Sequence, residues 1–258
     1  MKQFIVDAFT DEVFKGNPAA VCLPDRPVTD ETMQKIATEN NLSETAFIAK
    51  ERDEYLLRWF TPKDEIDLCG HATLASAFIV LNILERDQDK VVFNTKSGKL
   101  TVTQKGDLYE MDFPAYELEK VGVTEEMEEA VGGKPLEAYM GRDLVLVMDE
   151  DFDIEGAKPD MDKIEKLDGL IVHITKKGTG DYDCISRSFA PKLLVDEDPV
   201  CGSGHCHISV YWSKILGKSD ILAYQASPRT GILHTRVEGD RVFLAGEAVL
   251  YSRGQIHY

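Results

Sequence analysis

Short stretches of alternating apolar and polar residues recur through most of the chain, the period-two pattern of half-buried strands. In the first half they predict strands near 4–9, 19–23, 44–50, 55–60, 91–95, 99–104 and 108–113, the last two joined across Gly106-Asp107. A helix is expected after Pro27, capped by Thr29 or Asp30 and running to about residue 39. A second helix, over 72–84, is apolar on most faces rather than along one stripe, so it should be buried. The second half predicts strands near 143–148, 169–175, 183–189 and 222–226, and a hairpin at Gly239-Asp240. The final residues, 255–258, read as a strand edge.

One segment occurs twice. Arg58-Trp-Phe-Thr-Pro-Lys63 followed by Cys69-Gly70 is answered by Arg187-Ser-Phe-Ala-Pro-Lys192 followed by Cys201-Gly202. Each Cys-Gly opens an apolar stretch. Downstream, Phe93-x-Thr95, Gly98-x-Leu100 and Gly106-Asp107 are matched in order by Tyr224-x-Ala226, Gly231-x-Leu233 and Gly239-Asp240. The reading is α/β: two pseudo-symmetric domains, each a curved, mostly antiparallel sheet or barrel around a central helix. Residues 1–116 form the first, with 249–258 as a candidate extra strand, and 117–248 form the second. The passage between them, 117–129, holds six glutamates against one lysine and suits a short helix. A cleft between two such halves would set one thiol opposite the other.

Composition narrows the function. At 258 residues and 43% hydrophobic content the chain has ample material for two cores. A net charge of −17 argues against a nucleic-acid footprint or attraction to anionic lipid. The first seven residues meet Asp7 after three apolar positions and so lack a secretory apolar core, and the longest apolar run is too short to span a bilayer. Five cysteines without framework spacing suit reduced thiols, hence the cytoplasm.

The candidate chemistry gathers at the two helix starts. Gly70-His71 and Gly202-Ser203 lie where unpaired N–H groups and the helix dipole suit a carboxylate or phosphate. Cys69 and Cys201 stand at the same ends, where the dipole should favour thiolate, so the pair could take a proton from one face of a carbon and return one to the other. Each could equally be a small buried apolar residue. Glu44 enters an apolar strand, and a carboxyl drawn into such a wall becomes a usable proton shuttle near neutrality. Asp198 could hold a ligand ammonium group, orient His71, or cap the second helix. Cys69, His71, Cys201, His205, Cys206 and His207 do not show the paired spacing of structural zinc, and no phosphate-loop motif occurs, so neither metal nor cofactor is expected.

Asp7-Ala-Phe-Thr10, Gly16-Asn-Pro18, Asn41-Leu-Ser-Glu-Thr45, Arg58-Trp-Phe-Thr-Pro62, Cys69-Gly-His-Ala-Thr73 and Glu197-Asp-Pro-Val-Cys-Gly-Ser203 together resemble the PhzF-type, phenazine-biosynthesis-like isomerases of the diaminopimelate epimerase fold. The resemblance runs from about residue 4 to about 248. It implies an active site between two domains, cofactor-independent proton transfer on a small carboxylated substrate, and a homodimer. It matches Glu44 to the family's general acid/base, Asp198 to its second acidic residue, and Gly70, His71, Gly202 and Ser203 to substrate contacts. Cys69 and Cys201 instead match the thiol pair of diaminopimelate epimerase. The expected activity is therefore a double-bond or hydrogen shift through Glu44. The alternatives are a two-cysteine amino-acid racemase or epimerase, and a binding protein that has lost the chemistry.

Overall fold

A computed structural model describes residues 1–258. The chain forms two compact units, one of Met1–Asp112 with Ala245–Tyr258, the other of Phe113–Leu244. No helix is long and apolar enough to cross a membrane.

The first unit begins with β1 (Lys2–Ala8) and β2 (Asn17–Leu23), then α1 (Asp30–Asn40), whose N-cap Thr29 accepts from the Thr32 amide. Next come β3 (Glu44–Glu51), β4 (Glu54–Phe60), the short β5 (Glu65–Ile66) and α2 (Gly70–Ile79). Strands β6 (Lys90–Thr95), β7 (Gly98–Lys105) and β8 (Leu108–Pro114) follow. The pairing alternates: β1–β2 antiparallel, β2–β3 parallel, β3–β4 antiparallel, β4–β6 parallel, β6–β7 antiparallel. The C-terminal strand Ala248–Gln255 lies antiparallel to β1. It stops at Gln255; the last three residues, expected as strand edge, lie outside it. They are tied by reciprocal backbone bonds between Ile256 and Met1 and by Tyr258, whose carbonyl accepts from Arg26 and whose hydroxyl donates to Asp25.

In α2 every residue from His71 to Ala77, and Ile79, is buried. A helix apolar all round needs cover on all sides, and β1, β2, β3 and the C-terminal strand pack against it. Burying Leu74 and Ile79 contributes about 1.5–3 kcal/mol each. Thr73 and Ser76 donate their hydroxyls to the carbonyls of Cys69 and Ala72 four residues back, so their burial leaves no donor unmet. The sequence pattern over 72–84 predicts one α-helix throughout. Instead Val80–Leu84 is a π-helical turn closed from the Glu85 amide to the Val80 carbonyl. Asn82 is the reason at hand: its amide donates to the Phe78 carbonyl and the Tyr109 hydroxyl, anchoring the widened turn.

The second unit repeats the alternation. Its strands and helices run β9 (Glu119–Val121), α3 (Glu125–Val131), β10 (Glu137–Met140), β11 (Leu144–Val147), α4 (Met161–Ile164), β12 (Val172–Lys177), β13 (Cys184–Ala190) and β14 (Val195–Glu197). Then come α5 (Gly202–Leu216), β15 (Asp220–Gln225), β16 (Gly231–Glu238) and β17 (Arg241–Gly246). Pairs β10–β11, β12–β13 and β15–β16 are antiparallel, while β11–β12 and β13–β15 are parallel. The core gathers Leu144, Leu146, Ile164, Ile174 and Phe189 with Met127 and Ala130 of α3. Four elements here carry no clear pattern in the sequence: β9, β10, β14 and the single-turn α4.

The duplicated R-x-F has a structural meaning. Arg58 of β4 grips Glu65 of β5 with two bonds of 2.7 and 2.8 Å, and Arg187 of β13 grips Glu197 of β14 with the same two distances. Each guanidinium also lies over the phenylalanine two residues on, at 5.2 Å from the Phe60 ring and 5.1 Å from the Phe189 ring. The repeat slips by one residue further along. Leu100 faces Phe93, whereas Leu233 faces Ala223 rather than Tyr224, because the second hairpin loop is longer.

Candidate active site

In the first unit, Glu44 begins β3 while Cys69 and His71 stand at the mouth of α2, with Cys69 as its N-cap residue. Pairing of β2 with β3 and packing of α2 on both bring these elements together. His71 Nε2 lies 2.9 Å from Glu44 Oε2, and His71 Nδ1 lies 3.5 Å from Cys69 Sγ. The imidazole thus joins a carboxylate to a thiol through its two ring nitrogens. The His71–Glu44 contact has ion-pair distance without hydrogen-bond alignment, and both atoms are buried with no other partner. Gly70 follows Cys69 at the first helical position, where free amides face outward.

Burial alone would strip the proton from His71. The negative charge that Cys69 and Glu44 can carry beside it outweighs burial and raises the His71 pKa well above its ordinary value. Cys69 moves the other way from the sequence expectation. The helix end was expected to favour thiolate; instead burial, seconded by Glu44, raises the thiol pKa. Desolvation of a thiol that is only 7% exposed outweighs a helix dipole worth a fraction of that effect.

The second unit carries the matching set. Cys201 is the N-cap of α5 and accepts from the Gly204 amide through its sulfur at 3.3 Å. Its pKa is likewise raised by burial, with Asp198 and Asp143 adding to the rise, so the thiolate expectation fails here too. Asp198 is not the helix cap. It stands three residues earlier, where its Oδ1 accepts from the Val200 amide at 3.2 Å and its carbonyl accepts from Gln225 Nε2 at 2.6 Å. Gln225 turns its oxygen to the Cys201 amide at 2.8 Å, stitching Asp198 to the helix start. Gly202 and Ser203 open α5 beside them. At Gly204 a Cβ would collide with the His173 ring, so only glycine lets the helix approach that imidazole.

Residues that the sequence reading passed over complete this unit. Asp143, fully buried, binds Arg142 through two bonds of 2.9 and 2.6 Å, and its Oδ2 lies 3.2 Å from His173 Nε2. Burial opposes its charge, yet His173 and Arg142 outweigh burial and hold the carboxyl well below the usual range. Arg142 reaches Ser203 Oγ at 3.0 Å. The available signal was Gly141-Arg142-Asp143, two opposite charges set directly before the all-apolar Leu144–Val147.

Two groups bring metal-capable atoms within 4.8 Å of one another: Glu44, Cys69 and His71, and Asp143, His173 and His207. In the first, the imidazole turns a different nitrogen to each neighbour, Nε2 to Glu44 and Nδ1 to Cys69. In the second, Arg142 shares the Asp143 carboxylate that a cation would need. His205 and Cys206 turn elsewhere, His205 to Ser186 and the Cys201 carbonyl, Cys206 to the Gly202 carbonyl.

In each α/β unit an apolar helix opens at Cys-Gly, with Glu44 at the start of β3 in the first unit and Asp198 three residues ahead of Cys201 in the second. The phenazine biosynthesis-like protein family model matches residues 6–254, and the chain belongs to that PhzF family. An uncharacterized isomerase of Halalkalibacterium halodurans is 44% identical over 260 residues, covering 98% of this chain and 97% of the relative. A PhzF-family phenazine biosynthesis protein of Enterococcus faecalis superposes with a TM-score of 0.97 at 46% identity, over 100% of this chain and 99% of that one. A hydroxyproline epimerase of Agrobacterium vitis shares the fold alone, with a TM-score of 0.63 at 11% identity, over 99% of this chain and 90% of that one. The protein is an enzyme of the isomerase class, with the diaminopimelate epimerase-like fold.

Proposed function

We propose that the enzyme shifts a hydrogen or double bond next to the carboxylate of a small acid, without a cofactor. Glu44 removes a proton from one carbon and returns it to another. Amides at Gly70-His71 and Gly202-Ser203, with the Ser203 hydroxyl, take the substrate carboxylate and the charge that develops as the proton leaves. Such charge stabilisation is typically the largest catalytic contribution, and one lost donor costs on the order of 10²–10³ in rate. Asp198 is the second acidic residue of the site. A homodimer in the cytoplasm belongs to the same reading.

The observation that carries this reading is the buried, misaligned contact between His71 and Glu44 at 2.9 Å. A carboxylate held in a buried site at contact distance from an imidazole is placed for proton transfer with little rearrangement. No comparable support exists for the two-thiol alternative, since burial raises both the Cys69 and Cys201 pKa values and disfavours thiolate. Incubation with a panel of small amino, hydroxy and unsaturated acids in D₂O tests the proposal. A constitutional isomer should form from at least one acid, with its migrating hydrogen partly retained. Racemisation with deuterium washed into a stereocentre would favour the thiols instead, and an acid recovered unchanged but tightly bound would favour a binding protein.

A further inference from the structure

Arg142 is held more firmly than a surface arginine needs to be. Asp143 fixes its Nε and Nη2 with two bonds, and Asp143 is itself held by His173, whose other ring nitrogen lies 2.9 Å from Ser188 Oγ. A guanidinium gripped by a bidentate carboxylate has its plane, and so its remaining donors, fixed. Tyr116 closes the opposite side. Its ring centre is 5.0 Å from Arg142 Cζ, its hydroxyl 3.3 Å from Nη1, and it stacks on His207 at 4.1 Å. A buried ionic cluster is weak support for a fold on its own. This one spends a donor on Ser203 Oγ at 3.0 Å, while the Arg142 side chain stays 31% exposed.

A serine hydroxyl offers one hydrogen and two lone pairs. Arg142 can only donate, so it occupies a lone pair of Ser203 and leaves the hydrogen to be placed elsewhere. The other neighbour of that oxygen is Cys201 Sγ at 3.7 Å, a weak acceptor that a carboxylate oxygen would readily displace. We propose that Arg142 is a positioning residue: clamped by Asp143 and Tyr116, it fixes the Ser203 hydroxyl as an acceptor on its inner side and so presents the hydroxyl hydrogen to a ligand carboxylate. This rests on the reading that such a carboxylate sits at the start of α5. The guanidinium charge also strengthens the hydroxyl as a donor, so the arrangement favours anionic over neutral ligands of equal shape.

Amide NMR titration of ¹⁵N-labelled protein with acetate and lactate, against acetamide and lactamide, tests this without reading turnover. The two acids should shift the Gly202, Ser203 and Gly204 amides saturably, and the neutral amides should not. Ser203→Ala and Arg142→Met should each weaken acid binding about tenfold, and Arg142→Lys by less. The double variant Arg142→Met/Ser203→Ala should bind no more weakly than either single one, because both remove the same bond. Arg142→Met strips a partner from buried Asp143, so Ser203→Ala, which leaves the ionic cluster whole, provides the same loss on an intact fold. Unchanged affinity in Arg142→Met, additive losses in the double variant, or no saturable shift at these three amides would overturn the proposal. Failure of the D₂O panel would not move these resonances, so the two readings fail separately.

Discussion

His71 Nε2 stands 2.9 Å from Glu44 Oε2, with neither atom in a finished hydrogen bond and both sealed from solvent. The pair is therefore a proton donor and acceptor already at transfer distance.

The first prediction concerns charge. Cys69 and Glu44 outweigh burial at His71, so its ring should stay protonated through neutral pH. Ring-nitrogen NMR of the wild type should show no loss of that proton near the free imidazole value of about 6.5. In Glu44→Gln the carboxylate beside the ring is gone, and the midpoint should fall. An unchanged midpoint would mean that Glu44 does not act on His71. The sign for stability follows: with the folded pKa raised, this pairing stabilises the fold below the unfolded value and is lost as pH rises through the folded one.

Thiol reactivity makes a second test. Burial raises the pKa of both Cys69 and Cys201, so iodoacetamide should label them slowly at pH 7, more slowly than a free thiol of pKa about 8.5. Cys69→Ser and Cys201→Ser should each keep turnover within about tenfold of wild type, well short of the 10²–10⁴ expected from loss of a general base. Fast labelling at neutral pH, or a thousandfold loss in either variant, would revive the thiol mechanism.

Acid should weaken the second unit early. Burial lowers the pKa of both His205 and His207 to about 4. A histidine whose folded pKa is depressed stays neutral in the fold while the unfolded chain takes up its proton. Stability is thus full above the unfolded value of about 6.5 and declines as pH falls toward 4. By pH 5 the loss from fully buried His205 is on the order of 2 kcal/mol. Thermal unfolding between pH 7 and 5 should show a falling midpoint, and His205→Gln should flatten the slope.

The twin arginines should differ in cost. Arg187 bonds the Ile154 and Ala157 carbonyls as well as Glu197, and its side chain is 9% exposed. Removing it leaves the half-buried Glu197 carboxylate and two carbonyls without their donor, at a cost of about 3 kcal/mol. Arg58 is more exposed, and Lys96 already lies 2.5 Å from Glu65, so Arg58→Met should cost about 1 kcal/mol. Denaturant titration of Arg187→Met and Arg58→Met checks the order. Equal losses would show that the duplicated pairs are energetically alike.

Much of the fold was written in local signals. The R-x-F-x-P-K and Cys-Gly repeats placed both helix starts at the right residues, because a bidentate arginine and a glycine-led helix leave short, fixed spacings. The apolar circumference of 72–79 announced a buried helix. The π turn at Val80–Leu84 was not legible, since it depends on Asn82 meeting Tyr109 from a strand 27 residues on. Glu44, Cys69 and His71 were each singled out, yet their connection through the two nitrogens of one imidazole required coordinates. Arg142, Asp143 and Gln225 escaped notice for the same reason. Their partners, Ser203, His173 and Cys201, come from distant parts of the chain, and a lone polar residue beside a strand has no signature of its own. The thiol pKa direction was misjudged because depth of burial, which outweighs the helix dipole, is a tertiary property.

The most direct measurement is the turnover of Glu44→Gln on an acid that the wild type isomerises in D₂O. The glutamine keeps the shape of the side chain and removes its basicity, so the rate should fall by roughly 10²–10⁴ while the folded structure and carboxylate binding persist. Turnover near the wild-type rate would contradict the assignment of the proton shuttle to Glu44.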